Sequence, residues 1–251
     1  MAGIIRTSEF DALFLDLPRS LDDVVRALAE GAQYEPFLER IRELDLVPEP
    51  LSSWEYEVEP ILLAVRGILN REPEPEVRCY RQTEFVQLSA RLAEDVAKLV
   101  LRASVTGKVD IDEWRAIITE LLRSGVDALD EETEYVSKRS IGKETSICIA
   151  GMNARALRDR LSECNLNASL TYLLLPYHFS PIEVLTRTVE RELEDPTADG
   201  ERILQIVKCH LGFVREYVLT SRTYDEAYLR WVRDVAPWMR SRTSPLDALA
   251  R

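Results

Sequence analysis

Glycine is scarce in this sequence, and histidine, cysteine and lysine are scarcer. Nine glycines in 251 residues are few for a sheet-rich fold with many tight turns, so the balance favours helices. The histidines are His178 and His210 alone, and the four cysteines stand at 79, 148, 164 and 209, with no pair close enough for a CxxC site. A zinc centre would have to be assembled from scattered residues, and buried free thiols are the simpler reading. No glycine-rich dinucleotide loop, phosphate-binding loop, HExxH or GxSxG pattern occurs. The longest apolar run, around Leu170 to Leu175, is far too short to span a bilayer. Met1 to Leu17 carries Arg6, Glu9, Asp11 and Asp16 where a secretory signal would be apolar, so none is expected. No catalytic, cofactor-binding or metal residue is assigned.

Charge is abundant but acidic. The net charge of −12 argues against a surface built to neutralise many phosphates, and it suits solubility or docking on a basic partner. Of the 32 basic residues, 27 are Arg and 5 are Lys, while Asn and Gln total eight. Few amides and many ionic residues fit a thermophilic source; coding bias produces the same arginine excess.

Hydrophobic periodicity points to helices almost throughout. Phe85, Leu88, Leu92, Val96, Leu99, Val100 and Ala103 recur at steps of three and four, which predicts a long amphipathic helix over 84–108. Gly107 stops it. Ser20 with Asp23 reads as a capping box before Leu21, Val24, Val25 and Leu28. Tyr34 to Leu46 and Glu55 to Asn70 continue the pattern. Residues 1–17 read as a short helix ended by Pro18, and Glu72-Pro73-Glu74-Pro75-Glu76 reads as a rigid acidic connector. The long helix starts after it, as early as Val77. Asp110 with Glu113 caps a helix through Leu122, and Gly125 breaks it. Residues 126–147 are polar, with a loop over Ser140 to Thr145. Asn153 to Glu163 is helical, and Ala168 to Leu175 is an apolar helix or buried turn. Ser180-Pro181-Ile182-Glu183 is the strongest local signal, with a capping serine, proline at the first helical position and glutamate at the third. Helices follow through Leu193, over Glu201 to Leu219 and over Tyr224 to Met239, and the last dozen residues fray.

Period-two alternation never persists, so no strand is expected. The fold class is therefore all-α: a multi-helix bundle of about ten helices, with two faint echoes of repeated helical units. Residues 1–125 form an N-terminal helical bundle region and 126–251 a C-terminal helical region, unless the whole is one domain.

Four residues stand out as interaction candidates. Trp54 and Tyr56 precede a helix and serve either as exposed anchors or as packing beneath it. Arg155 and Arg158 share a helix face on which an anionic partner could dock, or they are ordinary surface arginines. Cys209-His210 with His178 can be read as a nucleophile and its base, but Cys209 lies in an apolar stripe that suits a core thiol better. Glu190, Glu192, Glu194 and Asp195 spread around a helix and suit a solvated face better than a metal.

Three stretches resemble the archaeal/vacuolar-type ATP synthase C-subunit family, the counterpart of the d subunit in the vacuolar enzyme. They are Ser20 to Glu30 followed by Tyr34, Phe37 and Leu38; Glu94 to Lys108, with its Thr-Gly-Lys ending; and Pro176 to Glu183 with the acidic helix after it. The resemblance implies a funnel of similar helical bundles, which couples the central stalk of a rotary ATPase to its membrane ring. On that reading the chain is a non-catalytic subunit of a complex for ATP synthesis and proton or ion transport. It would be cytoplasmic, peripheral on the inner face of the cell membrane, and would bind other subunits but no small-molecule substrate. Two other roles fit the composition. One is a helical nucleic-acid-associated or protein-interaction subunit, such as the helical part of a primase large subunit. The other is an enzyme with dispersed residues, using His178 or Cys209.

Overall fold

The computed structural model describes residues 2–44, 51–173, 177–194 and 200–239. Among them the chain is mostly helical, with ten α-helices and one small three-stranded sheet. It forms two compact units. The first comprises Met1–Ala90 and Ser124–Leu173, the second Arg91–Arg123 and Leu174–Arg251. Along the chain the two units interleave rather than follow one another. The first two crossings between the units fall inside long helices, where no change of composition marks them.

The first unit is built on three parallel strands in the order β2-β1-β3: β1 (Ala12–Pro18), β2 (Glu76–Arg81) and β3 (Ser146–Cys148). Leu13 pairs with Val77 on one side and Ile147 on the other. Helices α1 (Ala2–Thr7), α2 (Asp22–Ala29), α3 (Tyr34–Leu44) and α4 (Leu51–Val65) share one core with a single face of this sheet. There Leu13, Leu15, Val77 and Cys79 meet Ile5, Val25, Leu28, Phe37, Ile41, Leu62 and Val65. On the other face Ala12, Phe14 and Tyr80 meet Leu129, Val136, Leu157 and Leu161. These last four come from α6 (Ile111–Ser140) and α7 (Ala154–Glu163).

The expectation of an all-α chain is thus corrected to a mostly helical one with a parallel sheet. The physical reason lies in β1. It is buried on both faces, so its sequence Ala-Leu-Phe-Leu-Asp-Leu-Pro is nearly continuous in apolar residues and shows no alternation. Phe10, Leu13, Phe14 and Leu17 also satisfy helical spacing, so periodicity alone could not separate the two. Residues 77–81, read as the first turn of the long helix, form β2 instead.

Local signals fared unevenly. Helix α5 (Thr83–Thr106) ends where Gly107 takes a φ of 70° and its N–H reaches Ala103 O. Asp110 caps α6, with its carboxylate accepting from the N–H groups of Asp112 and Glu113. Gly125 does not break α6. It sits within the helix, and a Cβ there would lie 3.5 Å from Phe85 Cζ, an ordinary van der Waals contact. Ser20 does not cap α2; its N–H donates to Thr83 Oγ1 and its hydroxyl accepts from the same group. Residues 168–173, expected to be helical or a buried turn, contain no helix, and 174–175 lie outside the described residues. The terminal dozen lies outside them as well.

The second unit is helical. Its elements are the end of α5, the start of α6, α8 (Pro181–Glu194), α9 (Gly200–Glu216) and α10 (Tyr224–Met239). The Glu183 half of the expected capping box forms: Glu183 Oε2 accepts from the N–H of Ser180 at 2.6 Å, and the Ser180 hydroxyl donates to the same oxygen at 2.8 Å. Leu99, Trp114, Ile118, Leu185, Val189, Ile203 and Val207 make the core. Phe213, Tyr228 and Trp231 make a smaller aromatic one.

His210 is 7% exposed, lies edge-on to Trp114, and its Nδ1 has no hydrogen-bond partner. Burial alone lowers its pKa to about 4. The unfolded chain therefore takes up this proton first as pH falls. The contribution of neutral His210 is fully present above about pH 6.5 and is lost progressively down to about pH 4, amounting to about 3 kcal/mol. Urea melts of the wild type and a His210→Phe variant at pH 7 and pH 4.5 check this. The variant should lose less stability over that interval.

Candidate functional site

Parallel strands collect their carboxyl ends at one edge, and ligands in open α/β sheets bind where neighbouring strands send their connections to opposite faces. Here β1 leads to α2 on one face and β3 leads to α7 on the other, so the switch lies between β1 and β3. Two residues mark it. Asp16 is near the end of β1, and Gly151 follows β3. A Cβ on Gly151 would stand 3.2 Å from Asp16 Oδ2, so glycine lets the chain pass close to this carboxylate.

Charge is concentrated at this edge. Arg81, at the end of β2, donates to Asp16 Oδ1 at 2.6 Å and to Glu132 Oε1 at 2.8 Å. The Gln82 N–H adds a third bond, to Glu132 Oε1. Glu132 comes from α6 and is 1% exposed. Burial raises its pKa above the ordinary carboxylate value, against the pull of Arg81 and the Gln82 N–H. Burial works against the Arg81 charge too, but Asp16 and Glu132 outweigh it and hold the group firmly protonated. The three residues form a carboxylate–arginine–carboxylate bridge that ties β1, β2 and α6 together.

Beside the bridge lie Tyr80 and Cys148. Tyr80 is fully buried and its hydroxyl makes no well-formed hydrogen bond. Burial, then the nearby Asp16 charge, raises its pKa. The same two causes push the Cys148 thiol up to about 12, so it is a protonated thiol at neutral pH and a poor nucleophile. Burial likewise raises Cys209.

At the opposite end of the sheet, Glu76 accepts from Arg78, Arg139 and Lys143 at 2.8, 3.2 and 3.1 Å. Burial opposes its charge, yet Arg78 and Lys143 hold its carboxyl below the ordinary value. Asp22 accepts from the Arg78 guanidinium and from the Cys79 N–H, which covers the outer edge of β2.

Between these ends a cavity of about 380 Å³ runs along β3. Phe14, Val136, Leu157 and Leu161 supply apolar walls, and Ser140, Lys143, Ser146, Arg158 and Asn167 supply polar groups. Its size falls within the range of small-molecule sites. The Arg158 Nε is buried and finds no hydrogen bond of acceptable geometry, although a carboxylate oxygen of Asp159 is 2.6 Å away.

Of the interaction candidates, Arg158 lines this cavity, and Arg155 is exposed on the same helix. Trp54 and Tyr56 lie within α4 rather than ahead of it, because the helix begins at Leu51. The Tyr56 side chain is 48% exposed, and that of Trp54 lies outside the described residues. Since α4 and α7 pack into separate cores on opposite faces of the sheet, the two pairs do not form one site. Asp16, Arg81, Glu132 and Lys143 were missed. The available signal was Asp16, a single charge inside an apolar run. Among the described residues no group of three or more His, Cys, Asp and Glu is placed to hold a metal ion.

Replacing Arg81 with Met strands Glu132 as an unpaired buried carboxylate and should cost about 3–5 kcal/mol. Adding Glu132→Leu should restore most of it. Chemical denaturation of the single and double variants measures both effects. Comparison with protein-family models, with curated proteins and with solved structures returns no match.

Proposed function

We propose that the chain is a ligand-binding protein whose α/β unit takes a small molecule, apolar in body and anionic at one end, in the cavity beside β3. The observation that carries this reading is the cavity itself: about 380 Å³, walled by Phe14, Leu157 and Leu161, with the cationic groups of Lys143 and Arg158 at its margin. The apolar wall supplies affinity without direction, and the polar margin supplies orientation. Both cations already hold a carboxylate, Lys143 with Glu76 and Arg158 with Asp159. An anionic ligand would exchange one carboxylate partner for another rather than meet a bare charge. The protonated Cys148 and the mutually paired Asp16, Arg81 and Glu132 support binding more than chemistry.

The rotor-coupling role implied by the resemblance is a second proposal. The predominance of helix supports it, and among the described residues no helix is long and apolar enough to cross a membrane. Affinity purification separates the two. Stalk and ring subunits recovered with the chain favour coupling; a chain recovered without them sinks it.

For the binding reading, the measurement is a thermal-shift series with straight-chain carboxylates of increasing length. At least one should raise Tm. Leu161→Trp, which fills the cavity, should abolish that shift while leaving the helical circular dichroism intact. Equal shifts in both proteins would refute the cavity as the site.

A further inference from the structure

The strand that lines the cavity is the last in the sheet, and its outer edge has no partner strand among the described residues. Which of its backbone groups face outward follows from the ladder. The Ala12 N–H donates to Thr145 O, and the Ile149 N–H donates to Phe14 O. With Ala12 opposite Ser146 and Phe14 opposite Cys148, the parallel pattern engages residues 145, 147 and 149 with β1. In a parallel strand the N–H and C=O of one residue point the same way and those of the next point the other way. The main-chain groups of Ser146 and Cys148 therefore point away from β1. Ser146, Cys148 and Ala150 are also the residues of this segment that line the cavity. The cavity thus offers an apolar wall and, along the same strand, main-chain groups of Ser146 and Cys148 that pair with no strand among the described residues.

A sheet edge of this kind is completed by another extended backbone, whose amides supply the bonds while alternate side chains enter pockets. From Ser146 to Ala150 is four steps of ~3.3 Å, about 13 Å, which matches a peptide of about five residues. Leu166 to Leu170, which form neither helix nor strand, line the same cavity. Charge sets the chemistry of the ends. The cavity is lined by Lys143, Arg158 and Glu144; Lys143 and Arg158 each hold a carboxylate, Glu76 and Asp159, that a ligand carboxylate would replace, and the exposed Arg155 lies one helical turn from Arg158. We infer that the ligand of this cavity is a short extended peptide ending in a carboxylate, bound as a fourth strand on the outer edge of β3. This rests on the cavity being a binding site, and it adds the class of ligand.

The full chain is titrated, by fluorescence polarisation, into a randomised pool of fluorescein-labelled pentapeptides with free carboxyl ends. Matching pools are amidated at the carboxyl end or methylated on alternate backbone nitrogens. Expected results are binding of the first pool, at least tenfold weaker binding of the methylated pool, and weaker binding of the amidated one. Ser146→Pro removes an outward N–H that β1 does not use, at an edge position where proline is tolerated, and should weaken binding tenfold or more. If that variant does not fold, the methylated pool decides. Equal binding of the methylated pool overturns the inference, as does stabilisation by octanoate with no peptide bound; both leave the cavity as a binding site. If neither peptide nor octanoate binds, the inference and the binding reading fall together.

Discussion

The first unit depends on a single strand that has no free side. β1 is hydrogen-bonded to β2 along one edge and to β3 along the other, and apolar cores cover both of its faces. Leu13 and Phe14 are neighbours in sequence and belong to different cores, both with no exposure. Moving the strand by one residue would exchange the two sets and place Asp16 in an apolar layer. The parallel direction follows from the connections, since each crossover returns through helices long enough to span the sheet.

Charge completes what apolar burial begins. Layers of leucine and phenylalanine exclude water without specifying which strand end meets which helix. The Asp16–Arg81–Glu132 bridge supplies that specification at one end of the sheet and the Glu76 cluster supplies it at the other. Asp16, Glu132 and Glu76 are each held by cations from other elements or from later in the same strand. This also explains the arginine bias where it matters. Arg81 reaches two carboxylates at once, and the Arg19 and Arg139 guanidiniums lie over the Tyr135 ring, 4.4 and 4.7 Å from its centroid. A planar guanidinium does both, and an ammonium does neither as well.

What each edge of the sheet lacks then becomes informative. The outer side of β2 is covered by α2, whose Asp22 accepts the Cys79 N–H. The outer side of β3 has no such cover among the described residues. Uncovered strand edges are a hazard that proteins normally blunt. This one is three residues long, and its first residue, Ser146, is exposed, so its shortness rather than any cover limits chance pairing.

Local features were legible in the sequence by itself. The Asp110 cap, the Gly107 stop and the stripe of α5 are set by neighbours within a turn or two and formed as read, and of the Ser180–Glu183 box the Glu183 half formed. Helix-rich architecture followed from the same short-range signals. Ser20 and Gly125 show where that reasoning stops. Their residue types announce a cap and a break, but Thr83 binds Ser20 across the fold, and α6 continues through Gly125. The strands, the interleaved units and the carboxylate bridge were decided by the tertiary structure alone. A parallel strand draws its hydrogen bonds from segments dozens of residues away, and two-sided burial erases the alternation that would have announced it. Asp16, Arg81 and Glu132 likewise become a cluster only once β1, β2 and α6 are brought together, because electrostatic attraction depends on distance in space and not on distance along the chain.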